Sequence, residues 1–236
     1  QLLAESFSTT PAAEGGSVIL NKAVIPHETL LNQAKEQYEA AEKAAKSDAL
    51  KSLKGFDQDA AIRQIKTYKL KLAMHRGQYA DAKTFVEGAL KSGETVEVIY
   101  NNDGGDNPLY SAIGPNSRDV QVSPSLEAAR TTDAEKKALP LAHASVDKKN
   151  PNRYNIYASG LTRKGSMIIS NDDDIHLIKA ELIVRGIMTG DAMTEVNKVI
   201  GKYDTASQLS TIPTLAQITE LRRIFLAFRG ERTADI

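Results

Sequence analysis

Gly77-Gln78-Tyr79-Ala80-Asp81-Ala82-Lys83-Thr84-Phe85-Val86-Glu87-Gly88-Ala89-Leu90 carries the strongest pattern in the chain. Gly77 stands where a turn into a helix is cheapest for a residue without Cβ. Tyr79 is placed to pack back on a preceding helix, and Ala82 and Ala89 are small where two helix backbones approach. Phe85 and Val86 supply bulk between them. Upstream, Asp57 is a natural N-cap, and Ala61, Ile65, Tyr68 and Leu72 recur at helical steps. Residues 57–92 therefore read as a helical hairpin. Its second helix is expected from about Gln78 to Lys91, stopping near Gly93.

The order of glycine, tyrosine, alanine and alanine-leucine resembles the second half of a tetratricopeptide repeat, a helix-turn-helix unit of about 34 residues. More helix flanks it. From His27 to Lys46, Leu30, Ala34, Tyr38, Ala41 and Ala45 form an apolar stripe, and the charged residues between them form a solvated face. Gln1 to Lys22, with Pro11, Gly15 and Gly16, reads as mainly irregular, and Ser47 to Phe56 as a break containing Gly55. Asn171-Asp172-Asp173-Asp174 suits a helix start by capping and by the helix dipole. Ile175, Ile178, Ala180, Leu182 and Ile183 continue that helix to about Met188. Gly190-Asp191 then turns into Met193, Val196, Val199 and Ile200, so residues 172–203 form a second hairpin. Glu195 falls there on a position the repeat prefers small. Pro213 and Thr214 open a last helix over 213–232, striped by Leu215, Ile218, Leu221, Phe225 and Phe228. The expected fold is mostly α.

Residues 94–170 break the helical signal and read as a loop-rich insertion. Thr95 to Tyr100 alternates as a short strand, Asn101 to Pro108 is dense in turn residues, and one short helix is expected near Ser125 to Arg130. A long connection of this kind is usually functional or disordered. It holds Tyr100, Tyr110, Tyr154 and Tyr157, half of the 8 tyrosines. Tyrosine can stack on a sugar ring and hydrogen-bond at its tip. With Asn101, Asn102 and Arg118 nearby, these tyrosines are the candidate ligand-binding residues.

Composition narrows the function. Lys plus Arg and Asp plus Glu balance at 30 each, which argues against a nucleic-acid surface. No apolar run approaches the ~18 residues that span a bilayer. Absence of cysteine removes disulfides, thiolate catalysis and cysteine-zinc sites. His27, His75, His143 and His176 share no metal-ligand spacing. The Asn101 to Asn107 loop has a calcium loop's composition without its acidic alternation or closing glutamate. No phosphate loop, nucleophile elbow or helix-borne His-Glu pair occurs, so no catalytic residue, metal or cofactor is expected.

Several segments, in order, resemble the SusD/RagB-like family of outer-membrane nutrient-binding lipoproteins. They are Leu3 to Phe7, Gln64 to Leu90 with its Gly77 to Ala82 turn, and Asn107-Pro108-Leu109-Tyr110. Further along come Ser117 to Val120 with Val122-Ser123, Leu177 to Leu182, and the arginine-rich Glu220 to Arg232. Arg229 stands where the family usually has an acidic residue, and the chain lacks the tryptophan of a flat polysaccharide platform. The resemblance implies a single domain over 1–236, a fragment without the family's N-terminal part and C-terminal end. It implies a surface protein, lipid-anchored at the outer membrane through an N-terminal segment not present here. It would capture an oligosaccharide or peptide and pass it to a TonB-dependent, SusC-like transporter. The alternative is a tetratricopeptide-type scaffold that binds proteins only.

Overall fold

The computed structural model describes residues 17–20, 23–100, 105–115, 121–145 and 154–229. The chain is described as two compact units, which divide between Ser92 and Gly93.

The first unit opens with strands β1 (Ser17–Leu20) and β2 (Ala23–Pro26), an antiparallel pair in which Val18 faces Ile25 and Ile19 faces Val24. The irregular reading of Gln1 to Lys22 is corrected over these residues. Adjacent β-branched residues on both sides of a short connection favour a ladder. Helix α1 (His27–Ala45) follows, then a single turn, α2 (Asp48–Lys51), inside the segment read as a break. Ser47 caps it by accepting from the Leu50 amide. Helix α3 (Gln58–His75) starts at Asp57, whose carboxylate accepts from the Ala60 amide at 2.9 Å as expected. Gly77 adopts φ +65, a left-handed turn, and α4 (Tyr79–Val86) packs back on α3.

The expected small residues are where the hairpin closes: Ala82 and Ala89 are buried, with Val86. Helix α4 is shorter than predicted and ends at Val86, not near Lys91. The buried hydroxyl of Thr67, on α3, accepts from the Leu90 amide at 3.1 Å and turns the chain inward before another helical turn forms. The α1 stripe is also shifted, since Leu31 is buried while Ala41 is exposed. Glu42 lies partly buried beside Ala41, bonded to Lys46 and, across to α3, to Lys69 at 2.7 Å. Lys69 also sits over the Phe85 ring at 5.0 Å, so one ammonium links α1, α3 and α4. Tyr38 and Tyr68 stack between α1 and α3.

The second unit begins with β3 (Thr95–Val98), the expected strand. Its described short helices are α5 (Pro108–Ile113), α6 (Pro124–Ala129) and α7 (Asp133–Ala138). Each starts on a side-chain cap, from Asn107, Ser123 and Thr132 respectively. Strands β4 (Leu141–Ser145) and β5 (Tyr154–Ala158) pair antiparallel, and β6 (Met167–Asn171) returns to pair with β3. The described part of residues 94–170 is thus built of short helices and strands.

Helices α8 (Asp172–Val184), α9 (Ala192–Ile200) and α10 (Leu215–Phe225) form the core. Helix α8 is apolar nearly all round, with Leu177, Ile178, Ala180 and Leu182 fully buried, which marks a central helix. Burying each such leucine contributes roughly 1.5–3 kcal/mol. Asp191 caps α9 and Thr214 caps α10 through a capping box with Gln217. Glu195, too large for the repeat pattern, is accommodated by His176 of α8 at 2.6 Å and Lys198 at 2.6 Å. Burial resists its charge, but those hydrogen bonds win and hold its pKa at about 2. The last helix ends at Phe225, short of the expected 232. Phe228 has φ +66, so it belongs to a left-handed turn and not to the helical stripe.

Candidate functional site

Polar chemistry in the second unit collects in two places. One is the start of α8. Asn171 closes β6 and caps α8 in a box with Asp174, as the sequence predicted for the acidic run. All three aspartates are buried. Lys202 donates to Asp172 at 2.7 Å and to Asp173 at 2.6 Å, Arg229 donates to Asp174 at 2.9 Å, and the Gly93 amide donates to Asp172 at 3.0 Å. Burial disfavours the Lys202 charge, yet its two carboxylates raise its pKa above the ordinary value. Burial likewise raises the Tyr203 phenol, whose hydroxyl reaches Asp173 at 3.4 Å. Each carboxylate has a cationic or amide partner, so this network is a brace holding β6, α8 and the chain after α10 together. Arg229, noted as a departure from the family pattern, supplies part of that brace.

The other place lies around Asn107, which is fully buried. Its side-chain oxygen accepts from the Leu109 amide at 2.9 Å, capping α5 just before Pro108 at the first helical position. Its side-chain amide donates to the Gly165 carbonyl at 2.8 Å, and its backbone amide donates to the Arg163 carbonyl at 2.9 Å. One residue thus locks the start of α5 to the 163–165 loop. Beside it, Asp106 accepts from the Arg163 Nε at 2.7 Å and pairs with the Lys164 ammonium at 3.1 Å. These cations, Arg163 first, hold the Asp106 carboxyl below its usual pKa. Arg163 keeps 69% of its side chain exposed, and Tyr110, in the first turn of α5, contributes to the field around it.

Of the predicted ligand residues, Tyr110 on α5 and Tyr157 on β5 are half-buried on elements that pack together. Tyr100 follows β3 and is half-buried on the other ribbon. Tyr154 opens β5, opposite Ser145 in the register. Asn101, Asn102 and Arg118 lie outside the described residues. Sequence reasoning missed Asp106, Arg163 and Lys164 at this face. The Asn107-Pro108 pair was a readable local signal, but nothing local links it to a partner 58 positions away. Among the described residues no group of three or more His, Asp or Glu side chains is arranged to hold a metal. No described helix is long and apolar enough to cross a membrane.

No protein-family profile matches the chain. No curated protein matches it either. Solved structures do. Surface glycan-binding protein A from Bacteroides thetaiotaomicron, in complex with laminarihexaose, matches with TM-score 0.62 at 14% identity over 99% of this chain and 64% of that one. A SusD-like carbohydrate binding protein from Bacteroides vulgatus matches with TM-score 0.65 at 16% identity over 99% of this chain and 59% of that one. A SusD homolog from Parabacteroides distasonis matches with TM-score 0.56 at 12% identity, over 92% of this chain and 61% of its own. This chain therefore spans about three fifths of the length of the structures it matches. At such low identity the likeness is one of fold, and the chain has the SusD-like fold.

Proposed function

We propose that this chain captures an oligosaccharide without altering it, as part of a surface nutrient-binding protein. The observation that carries the proposal is the SusD-like fold shared with a surface glycan-binding protein solved with laminarihexaose. The α5–β5 face, with Tyr110 and Tyr157, is the surface assigned to the sugar. Aromatic faces take up the apolar side of a pyranose, and the phenol tips satisfy hydroxyls. The helices supply the frame. In the same reading, the protein sits at the outer-membrane surface on a lipid anchor and hands its ligand to a TonB-dependent, SusC-like transporter.

Isothermal titration against a panel of neutral and acidic oligosaccharides tests the binding step. The double variant Tyr110→Ala/Tyr157→Ala is expected to lose affinity at least about tenfold, since base or sugar stacking on an aromatic is worth about 1–3 kcal/mol. Unchanged affinity in a folded double variant would remove the assignment of this face. Co-purification of the full-length protein with its transporter tests the second step, and failure to recover a complex would leave a free-standing binder.

A further inference from the structure

Resting on that reading, the structure assigns a ligand class to the face: we infer that it takes an acidic oligosaccharide, one bearing a carboxylate or sulfate. The anion would be gripped by the exposed end of Arg163, with Tyr110 beside it.

Asp106 is one anion facing two cations, Arg163 at 2.7 Å and Lys164 at 3.1 Å. Among these three described side chains positive charges outnumber negative by one, and Lys164 has a further interaction of its own. Lys164 is further engaged, donating to the Gly105 carbonyl at 2.9 Å. Arg163 is engaged through Nε alone among the described residues, which leaves both terminal amino groups without a protein partner. A guanidinium fixed by Nε presents its remaining edge in a set direction. That edge matches the spacing of two oxygens on a carboxylate or sulfate.

Fixation comes from both sides of Arg163. Its side chain is oriented by Asp106, and its backbone carbonyl is held by the Asn107 amide at 2.9 Å. Asn107 also starts the helix that carries Tyr110, so the aromatic group and the cation hang from the same buried residue. A neutral glycan has no use for the unpaired edge of Arg163. An acidic one supplies the missing anion and still presents a ring to Tyr110. An anionic peptide would satisfy Arg163 but offers less to a single aromatic face, so the glycan is favoured.

The test measures binding of this chain to an oligogalacturonide, a heparin-derived hexasaccharide and laminarihexaose, by isothermal titration at two salt concentrations. The oligogalacturonide carries carboxylates alone and the hexasaccharide carries sulfates as well, so binding of the hexasaccharide without the oligogalacturonide assigns the anion to sulfate. The expected result is that at least one acidic probe binds about tenfold or more tightly than laminarihexaose and weakens with salt. Arg163→Gln should bring the affinity for the acidic probe down to that of laminarihexaose measured on the same variant, and Arg163→Lys should restore part of the preference. Arg163 is exposed, so neither change endangers folding; circular dichroism confirms it. Neutral and acidic probes binding alike, or Arg163→Gln leaving acidic binding intact, would overturn the acidic class while glycan capture stands. No binding of any glycan, with a Glu- and Asp-rich peptide binding through Arg163 instead, would overturn both readings.

Discussion

Glu181 and Arg222 join α8 to α10 as a buried ion pair, Arg222 donating to Glu181 at 2.7 Å with both side chains less than a tenth exposed. Replacing Glu181 by Leu removes that carboxylate from a guanidinium buried in the core. Breaking a buried pair from one side costs about 3–5 kcal/mol. Arg185, the other cation on Glu181, is 28% exposed and can turn to water, so its loss adds at most about 1 kcal/mol. Because Arg222 keeps other interactions, the lower end applies, and we expect about 3 kcal/mol. For a unit of this size, that lowers the melting temperature by roughly 10 °C. Differential scanning calorimetry should show that loss. The double variant Glu181→Leu/Arg222→Met removes both charges and fills the space with apolar atoms. Its stability should return to within about 1 kcal/mol of the parent. A loss under about 1 kcal/mol in Glu181→Leu, or a double variant as unstable as the sum of the singles, would refute the reasoning.

Three further outcomes follow from local geometry. Thr67→Val leaves the Leu90 amide buried without its acceptor and should cost about 1–3 kcal/mol in urea unfolding of the first unit. Gly77→Ala meets no atom with its new Cβ but must keep φ +65, so it should cost about 1–2 kcal/mol by the same measurement. Hydrogen bonds from Lys46 and then Lys69 hold the Glu42 carboxyl at about 2, below its ordinary 4.5. The folded pKa is depressed, so the stabilisation is complete above pH 4.5 and fades as pH falls through about 2. After discounting for solvent screening it amounts to about 1 kcal/mol. Glu42→Gln should flatten the stability curve of the first unit between those pH values by that amount.

Features decided by neighbours in sequence were readable. Asp57, Asn171, Asp191 and Thr214 cap helices because a short polar side chain reaches an amide two or three residues on, whatever the rest of the chain does. Gly77 marked its turn for the same reason. The end of α4 was not readable, because Thr67, 23 positions upstream, captures the Leu90 amide. Strand β6 was missed because its partner, β3, lies far upstream, and because Ser170 and Asn171 read as the approach to a helix. Glu195 was recognised as out of pattern, but its partner His176 sits on another helix. The candidate site divides along the same line. Tyr110 and Tyr157 stand out by residue type, whereas Arg163 acquires meaning only from Asp106, 57 positions away.

Asn107 has a consequence for the cost of recognition. A loop that must be ordered by its ligand surrenders about 1–2 kcal/mol of backbone entropy per residue at the moment of binding. Here that entropy is already lost on folding, since one buried side chain holds the start of α5 and the 163–165 loop as a single rigid piece. Under the proposed assignment, a sugar arriving at Tyr110 and Arg163 would meet a preorganised surface, and the free energy of each contact would be kept as affinity.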